Sequence, residues 1–371
     1  MPPKVLFIFG TRPEAIKLCP VILYLKEHRP GWQVRVCVTA QHRELLNQAL
    51  EVFGVRADHD LDAMRPGQTL FQSTARILAA LEQVLAVEKP DIVLVQGDTT
   101  TTLCGALAGF YARVPVAHVE AGLRTGDLRQ PFPEELNRVL VGRMAALHFA
   151  ATEWAAGNLR GEGVAAQSIV VTGNPGIDAV LYVRDRLRDG RLNGAVALDP
   201  SRRLILVTAH RRESFGDGLE QICGALAELA ERDDVQIVYP VHPNPHVQEP
   251  AYRNLCRHEH ILLLPPLDYV SFVDLLARAA VVLTDSGGVQ EEAPSLGTPV
   301  LVLRDKTERP EAVESGTARL VGAHRERIVA ECTRLLDGDA HRPTAPAGNP
   351  FGDGHASARI AAAIGGFLQT E

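Results

Sequence analysis

The sequence predicts an α/β protein made of two Rossmann-like domains, and three observations predict it. Short apolar, β-branched runs alternate with longer stretches of helical spacing along the 371 residues. The runs lack polar alternation, so they belong to strands buried on both faces, as in a parallel sheet covered by helices. The alternation pauses near residues 173–200 and then resumes, so two such sheets are expected.

In the first half, Val5–Phe9, Val34–Val38, Ile92–Val95, Val116–Val119 and Ala146–Ala150 read as strands. Leu70–Val84 and Thr101–Tyr111 carry helical apolar spacing between them. The pause contains GNPGIDAV, an Arg-rich helix-like stretch and NGAVALDPSRR. Strands resume at Leu204–Thr208, Gln236–Pro240, Ile261–Leu264, Val281–Thr284, Pro299–Leu303 and Arg319–Val321. Asp337–Gly354 is rich in Pro, Gly, Asp and Asn and reads as a loop, and Ala356–Leu368 as one closing helix. The expected domains are 1–172 with a closing helix from 356–371, and 173–355. Ligands of open α/β sheets bind at the carboxyl ends of strands. The chemistry is therefore expected in the loops that follow the strands, in a cleft between the domains.

Lys and Arg number 38 against 45 Asp and Glu, a formal charge of −7. That balance argues against general affinity for nucleic acid or anionic membranes, while leaving room for a local basic pocket. No apolar run reaches the ~20 residues of a membrane span. The apolar stretch in MPPKVLFIFG is too short for a signal peptide. Cys19, Cys37, Cys104, Cys223, Cys256 and Cys332 form no CxxC pair and read as buried thiols of a reducing cytoplasm. His242-Pro-Asn-Pro-His246 and His258-Glu-His260 are the close histidine pairs, and neither has a third ligand in obvious reach. Walker and GxGxxG motifs are absent. Neither a metal nor another cofactor is expected.

Six segments carry candidate chemistry. Gly10-Thr11-Arg12-Pro13-Glu14 offers a tight turn, a proline suited to a first helical turn, and cations at Arg12 and Lys17 beside a helix start. Gln96-Gly97-Asp98 followed by four threonines offers more hydroxyls than a helix cap needs. Glu120, at a strand end, is a candidate acid or base, or else a loop carboxylate paired with Arg124. Glu134 and Arg138 share a helical face and by themselves read as an i,i+4 ion pair. His210, between Ala209 and the Arg211-Arg212 pair, is expected to favour its neutral form beside those cations. Ser286-Gly287-Gly288, ahead of a helix, exposes backbone N–H groups suited to a diphosphate, with Glu292 placed for ribose hydroxyls. Arg304, Lys306 and Arg309 follow the next strand and add positive charge.

Taken together, GTRPEAIK, TAQHRELL, GDTTTTLCGALAGFY, VPVAHVEAGLRTGD, PFPEELNR, TGNPGIDA, VTAHRRESFG, VYPVHPNP, LTDSGGVQEEAPSLGTPVLVLRDKTERPEAV and NPFGDGHASARI resemble the non-hydrolysing UDP-N-acetylglucosamine 2-epimerases, in one order over nearly the whole chain. The resemblance implies a glycosyltransferase-B-type fold with the last helix returning to the first domain, a cytosolic homodimer, and UDP-GlcNAc, UDP-ManNAc and UDP as ligands. It implies catalytic roles for Asp98, Glu120, Glu134 and His210, and cleft cations at Arg12, Lys17 and Arg138. It also implies a UDP cradle of Ser286, Gly287, Gly288 and Glu292 with Arg309 near the diphosphate, and an allosteric substrate site touching Gln41, His42, Arg211 and His242. The chain departs from the family's usual residues at Gln96, Pro175, Gly176 and Pro243. The alternatives are a glycosyltransferase of the same fold and a non-catalytic UDP-sugar sensor.

The chemistry explains why such groups are needed. C2–H of an N-acetylhexosamine has no neighbouring carbonyl to stabilise a carbanion. Elimination of UDP across C1–C2 avoids that carbanion, because H2 and the C1–oxygen bond are antiperiplanar in the α-gluco sugar. Return of the proton on the other face gives the manno epimer. The route needs cations and N–H groups for the leaving diphosphate, and proton carriers near the ring. Three carboxylates (Asp98, Glu120 and Glu134) sharing a site should repel, raising at least one pKa.

Overall fold

A computed structural model describes residues 2–39, 43–65, 67–338 and 348–370. The chain divides into two compact units, Met1–Ala179 with Phe351–Glu371, and Val180–Pro350.

Unit 1 runs β1 (Lys4–Phe9), α1 (Arg12–His28), β2 (Gln33–Val38), α2 (Arg43–Phe53), β3 (His59–Asp60), α3 (Leu70–Glu88), β4 (Ile92–Gln96), α4 (Thr100–Tyr111), β5 (Val116–Ala121), α5 (Glu134–Met144), β6 (Leu147–Ala150), α6 (Glu153–Gly161) and β7 (Ile169–Val171). Then α7 (Pro175–Arg188) crosses the changeover at Ala179, and the closing helix α14 (Ala356–Thr370) packs on α1. The seven strands are parallel in the order β3-β2-β1-β4-β5-β6-β7. Val5 to Phe9 and Ile92 to Val95 have no accessible surface, the reason for their unbroken apolar runs. Each such side chain contributes roughly 1.5–3 kcal/mol of burial. Two strands escaped the sequence reading: β3 has only two residues, and β7 is a half-buried edge strand.

Unit 2 runs β8 (Arg203–Thr208), α8 (Asp217–Leu229), β9 (Val235–Pro240), α9 (Pro245–Leu255), β10 (Ile261–Leu264), α10 (Tyr269–Arg278), β11 (Ala279–Thr284), α11 (Gly287–Glu292), β12 (Val300–Val302), α12 (Pro310–Glu314), β13 (Ala318–Leu320) and α13 (Arg325–Leu336). Its parallel strand order is β10-β9-β8-β11-β12-β13. Ile205, Val207, Leu226, Ile237, Tyr239, Leu283 and Ile328 lie in one core cluster between the sheet and α8, α9 and α13.

Both sheets reverse their winding direction at one place, between β1 and β4 in unit 1 and between β8 and β11 in unit 2. Helices leave opposite faces of the sheet there, so a crevice opens at the carboxyl ends of the two strands. The loops at those ends are Gly10–Thr11, Gly97–Thr99, Ala209–Arg211 and Asp285–Ser286.

Among the described residues α3 alone is long and apolar enough by composition to cross a membrane, a test that a core helix also passes, and Arg76, Glu82 and Glu88 break its apolar run. One expectation needs correction. Cys256 is exposed near the end of α9, whereas the other five cysteines are buried.

Candidate active site

The unit 1 cluster begins with a buried acid. Thr11 and Glu14 form a reciprocal capping box at the start of α1. Glu14 also accepts from Gly10 N at 2.9 Å, Thr99 Oγ1 at 2.6 Å and Thr102 Oγ1 at 3.0 Å, which ties the loop after β1 to the loop after β4. Burial raises its pKa, opposed by those hydrogen bonds. Gly10 is required for close approach rather than for a tight turn: a Cβ there would sit 2.0 Å from Thr39 Oγ1. Glu14 was not read as a site residue, although the T-x-x-E spacing signals it.

Close packing sets the height of α4. A Cβ on Gly105 would stand 2.8 Å from Val95 Cγ1, and one on Gly109 2.8 Å from Val116 Cγ2. The helix therefore lies directly on the sheet, with Thr99 as its cap and Asp98 just ahead. Arg138 Nη2 approaches Asp98 Oδ2 at 2.5 Å, and Asn137 Nδ2 donates to Asp98 O at 2.8 Å. The second arm of Arg138 goes to the buried Glu135, at 3.1 Å, and not to Glu134. Glu135 in turn accepts from Thr125 N and Gly126 N, so it anchors the loop ahead of α5. Helical spacing alone could not choose between i−3 and i−4 partners, and burial of Glu135 decided it. Glu134 stands half-buried at the first position of α5, and Arg12 half-buried at the first position of α1.

Glu120 lies inside β5, with φ of +62°, where the pairing register with β6 shifts between Val119 and Ala121. A bulge of this kind re-aims a side chain. The carboxylate meets Lys17 Nζ at 2.6 Å on both oxygens, a short contact from Gln96 Nε2, and Asn174 Nδ2 at 3.2 Å. Arg124 is bound instead to Glu162, at 2.6 Å. The expected repulsion among three acids is thus countered for Asp98 and Glu120 by a cation each. Gln96 and Asn174 were not assigned to the site from sequence, since an amide carries no charge signal. Beneath the loop, His118 Nε2 donates to Gly97 O at 2.7 Å, and burial pushes its pKa down to about 3.

The unit 2 cluster forms around Asp285, which has no accessible surface. Its Oδ2 accepts from His210 N at 2.6 Å and Arg211 N at 2.7 Å. The His210 ring stacks on His242, with centroids 5.4 Å apart. The His210 pKa is lowered, chiefly by burial and also by His242 and Arg211, with Asp285 opposing. Burial thus outweighs the flanking arginines to which the sequence reading gave that role.

Ser286 stands at the N-cap of the short α11, whose first two residues are Gly287 and Gly288. Thr284 Oγ1 accepts from Ser286 N at 3.0 Å, and Gln290 Nε2 donates to Ser286 O at 3.2 Å. The Arg309 guanidinium stands 3.5 Å from the position of a Cβ on Gly287 and pairs with Glu291. Glu292 Oε1 lies 3.9 Å from the corresponding position on Gly288. Arg304 is neutralised by Glu213 at 2.5 Å, so its charge is already committed. Gln41 and His42 lie outside the described residues. Among the described residues, no group of three or more His, Cys, Asp or Glu could hold a metal ion.

The family described as UDP-N-acetylglucosamine 2-epimerase matches residues 25–365. The chain belongs to that family. It is 56% identical to the UDP-N-acetylglucosamine 2-epimerase of Yersinia pestis and 54% identical to that of Escherichia coli K12, in each case over 97% of this chain and 98% of the relative. The crystal structure of the Neisseria meningitidis UDP-GlcNAc 2-epimerase bound to UDP-GlcNAc has a TM-score of 0.88 and 44% identity, covering 99% of this chain and 100% of that one. The glycosyltransferase-B-type fold class comes with the family. The structure accommodates two of the departures from its usual residues. Pro175 opens α7, where a missing N–H costs nothing, and Gly176 N donates to Asn174 Oδ1 at 2.9 Å.

Proposed function

We propose that this chain interconverts UDP-GlcNAc and UDP-ManNAc at C2, by elimination of UDP to 2-acetamidoglucal and re-addition. The observation that carries the reading is Glu120, a carboxylate on a left-handed backbone position held by Lys17, Gln96 and Asn174. Such strain is kept where the surroundings over-determine it, and often at sites of chemistry. Glu120, Asp98 and Glu134 supply the proton carriers. A base takes H2 as the C1–oxygen bond breaks, the bonding pair leaving with UDP; the reverse step on the other face delivers the proton to C2. Ser286, Gly287, Gly288 and Glu292 receive the nucleotide. Arg12 and Arg309 are proposed as substrate-binding cations, and His210 as a catalytic group. Arg138 pairs with Asp98, and Lys17 with Glu120. Arg211 and His242, with Gln41 and His42, are proposed for substrate activation. The enzyme works in the cytoplasm without metal or nicotinamide.

Turnover of UDP-GlcNAc in D2O is expected to introduce deuterium at C2, read by NMR. Epimerisation without that label overturns the elimination route. A glycosyltransferase would leave UDP-GlcNAc unchanged in the absence of an acceptor, and a sensor would bind it without turnover.

A homodimer is proposed through α3 and α4. Phe71, Val87, Phe110 and Tyr111 are 88%, 74%, 60% and 73% exposed, and a groove of about 570 Å³ runs between the two helices. Exposed apolar side chains beside such a groove suit a protein contact surface, and a second copy would supply a matching one.

A further inference from the structure

Asp285 is buried completely, yet only one of its oxygens is hydrogen-bonded among the described residues. Oδ2 takes the backbone N–H groups of His210 and Arg211, and Oδ1 stands 3.5 Å from His210 Nδ1. A buried carboxylate oxygen left unpaired is costly, so its one polar neighbour is informative.

We propose that Asp285 is the positioning residue of His210, holding the proton of the neutral ring on Nδ1 and leaving the Nε2 lone pair for the ligand. A neutral imidazole has one donor and one acceptor nitrogen. A lone pair on Nδ1 would face the Oδ1 lone pairs and be repelled, so the nitrogen turned to the carboxylate carries the hydrogen. The main chain of His210 is tied to the same carboxylate, and the stacked His242 ring, at an interplanar angle of 15°, braces the imidazole. Burial disfavours the imidazolium, so the neutral form is the one to be oriented.

The proposal rests on the reading of His210 as a residue that meets the nucleotide sugar, and it specifies how. Nε2 of the neutral ring accepts a hydrogen bond from a ligand O–H or N–H. It turns into a donor to a phosphate oxygen only after taking up a proton, and Asp285 then balances the charge. His210 is thus an acceptor first and a cation second.

The test is NMR of the full chain with 15N-labelled histidine, the His210 signals being assigned by their loss in His210→Gln. At neutral pH we expect the Nδ1-protonated tautomer. In Asp285→Asn the amide oxygen still accepts the two backbone N–H groups, while its NH2 replaces Oδ1 and faces Nδ1 as a donor. The ring should then switch to the Nε2-protonated tautomer, with kcat for epimerisation falling roughly 100-fold. KM should move less than about threefold, since the loss lies in the reacting state. An Nε2-protonated ring in the unmodified protein, or an unchanged tautomer in Asp285→Asn, overturns the proposal. A tautomer that switches as stated while both variants epimerise at the full rate leaves the positioning intact and removes His210 from the reaction.

Discussion

Lys17 Nζ sits 2.6 Å from each carboxylate oxygen of Glu120 and joins the first turns of α1 to the bulge in β5. The pair is mostly shielded, with side-chain exposures of 20% and 6%. Removing one partner of such a pair leaves an uncompensated charge, a larger loss than the pair itself is worth. Lys17→Met is therefore expected to lower stability by roughly 3 kcal/mol and kcat by about 100-fold or more. Urea denaturation and a UDP-GlcNAc NMR assay check both numbers.

Gln96→Leu keeps the volume of the side chain but removes its donor to Glu120. Loss of a hydrogen bond to the charged form disfavours that form. The acid limb of the kcat/KM profile should move to higher pH, with the alkaline limb unchanged. A profile that superimposes on that of the unmodified protein speaks against Glu120 acting as a base.

Acid should destabilise unit 1 through its buried histidines. Burial lowers the pKa of His118 to about 3 and that of His148 to about 4, below the 6.5 of an ordinary histidine. The unfolded chain then binds more protons than the folded one between those values, so stability is lost as pH falls from about 6.5 towards 3. Glu14, whose pKa is raised, acts in the opposite sense, since its contribution is complete at low pH and is lost as pH rises through the carboxyl range. His118→Gln should flatten the slope of urea midpoint against pH between pH 6.5 and 4, a range set by the histidine titration.

Gly122→Ala should fail sterically. Gly122 has φ of +91°, and a Cβ would fall 2.2 Å from the carbonyl oxygen of Ala155 in α6. Backbone cannot yield as a flexible side chain does, so a loss of more than about 3 kcal/mol is expected. Thermal unfolding measures it.

Tyr111→Glu combined with Phe71→Glu should convert the proposed dimer to a monomer, because it places charge on exposed apolar positions of α3 and α4. Light scattering reads the mass, and circular dichroism shows that the fold is retained. A native mass of one chain in the unmodified protein would sink the dimer proposal.

The α/β class and the long buried strands were legible in the sequence because burial on both faces leaves an unbroken apolar run. Ser286–Gly288 and the Thr11/Glu14 cap were legible too, since caps and glycine turns are local devices with fixed spacing. What the tertiary structure alone decided is partner choice. Glu120 takes Lys17 from a helix 103 positions away in sequence, Arg138 takes Asp98 and Glu135 in preference to Glu134, and Asp285 reaches across the switch point to His210. Spacing along one helix or strand constrains only near neighbours. Which charges meet across the end of a sheet depends on strand order, bulges and the approach of helices, and these are set by packing of the whole unit.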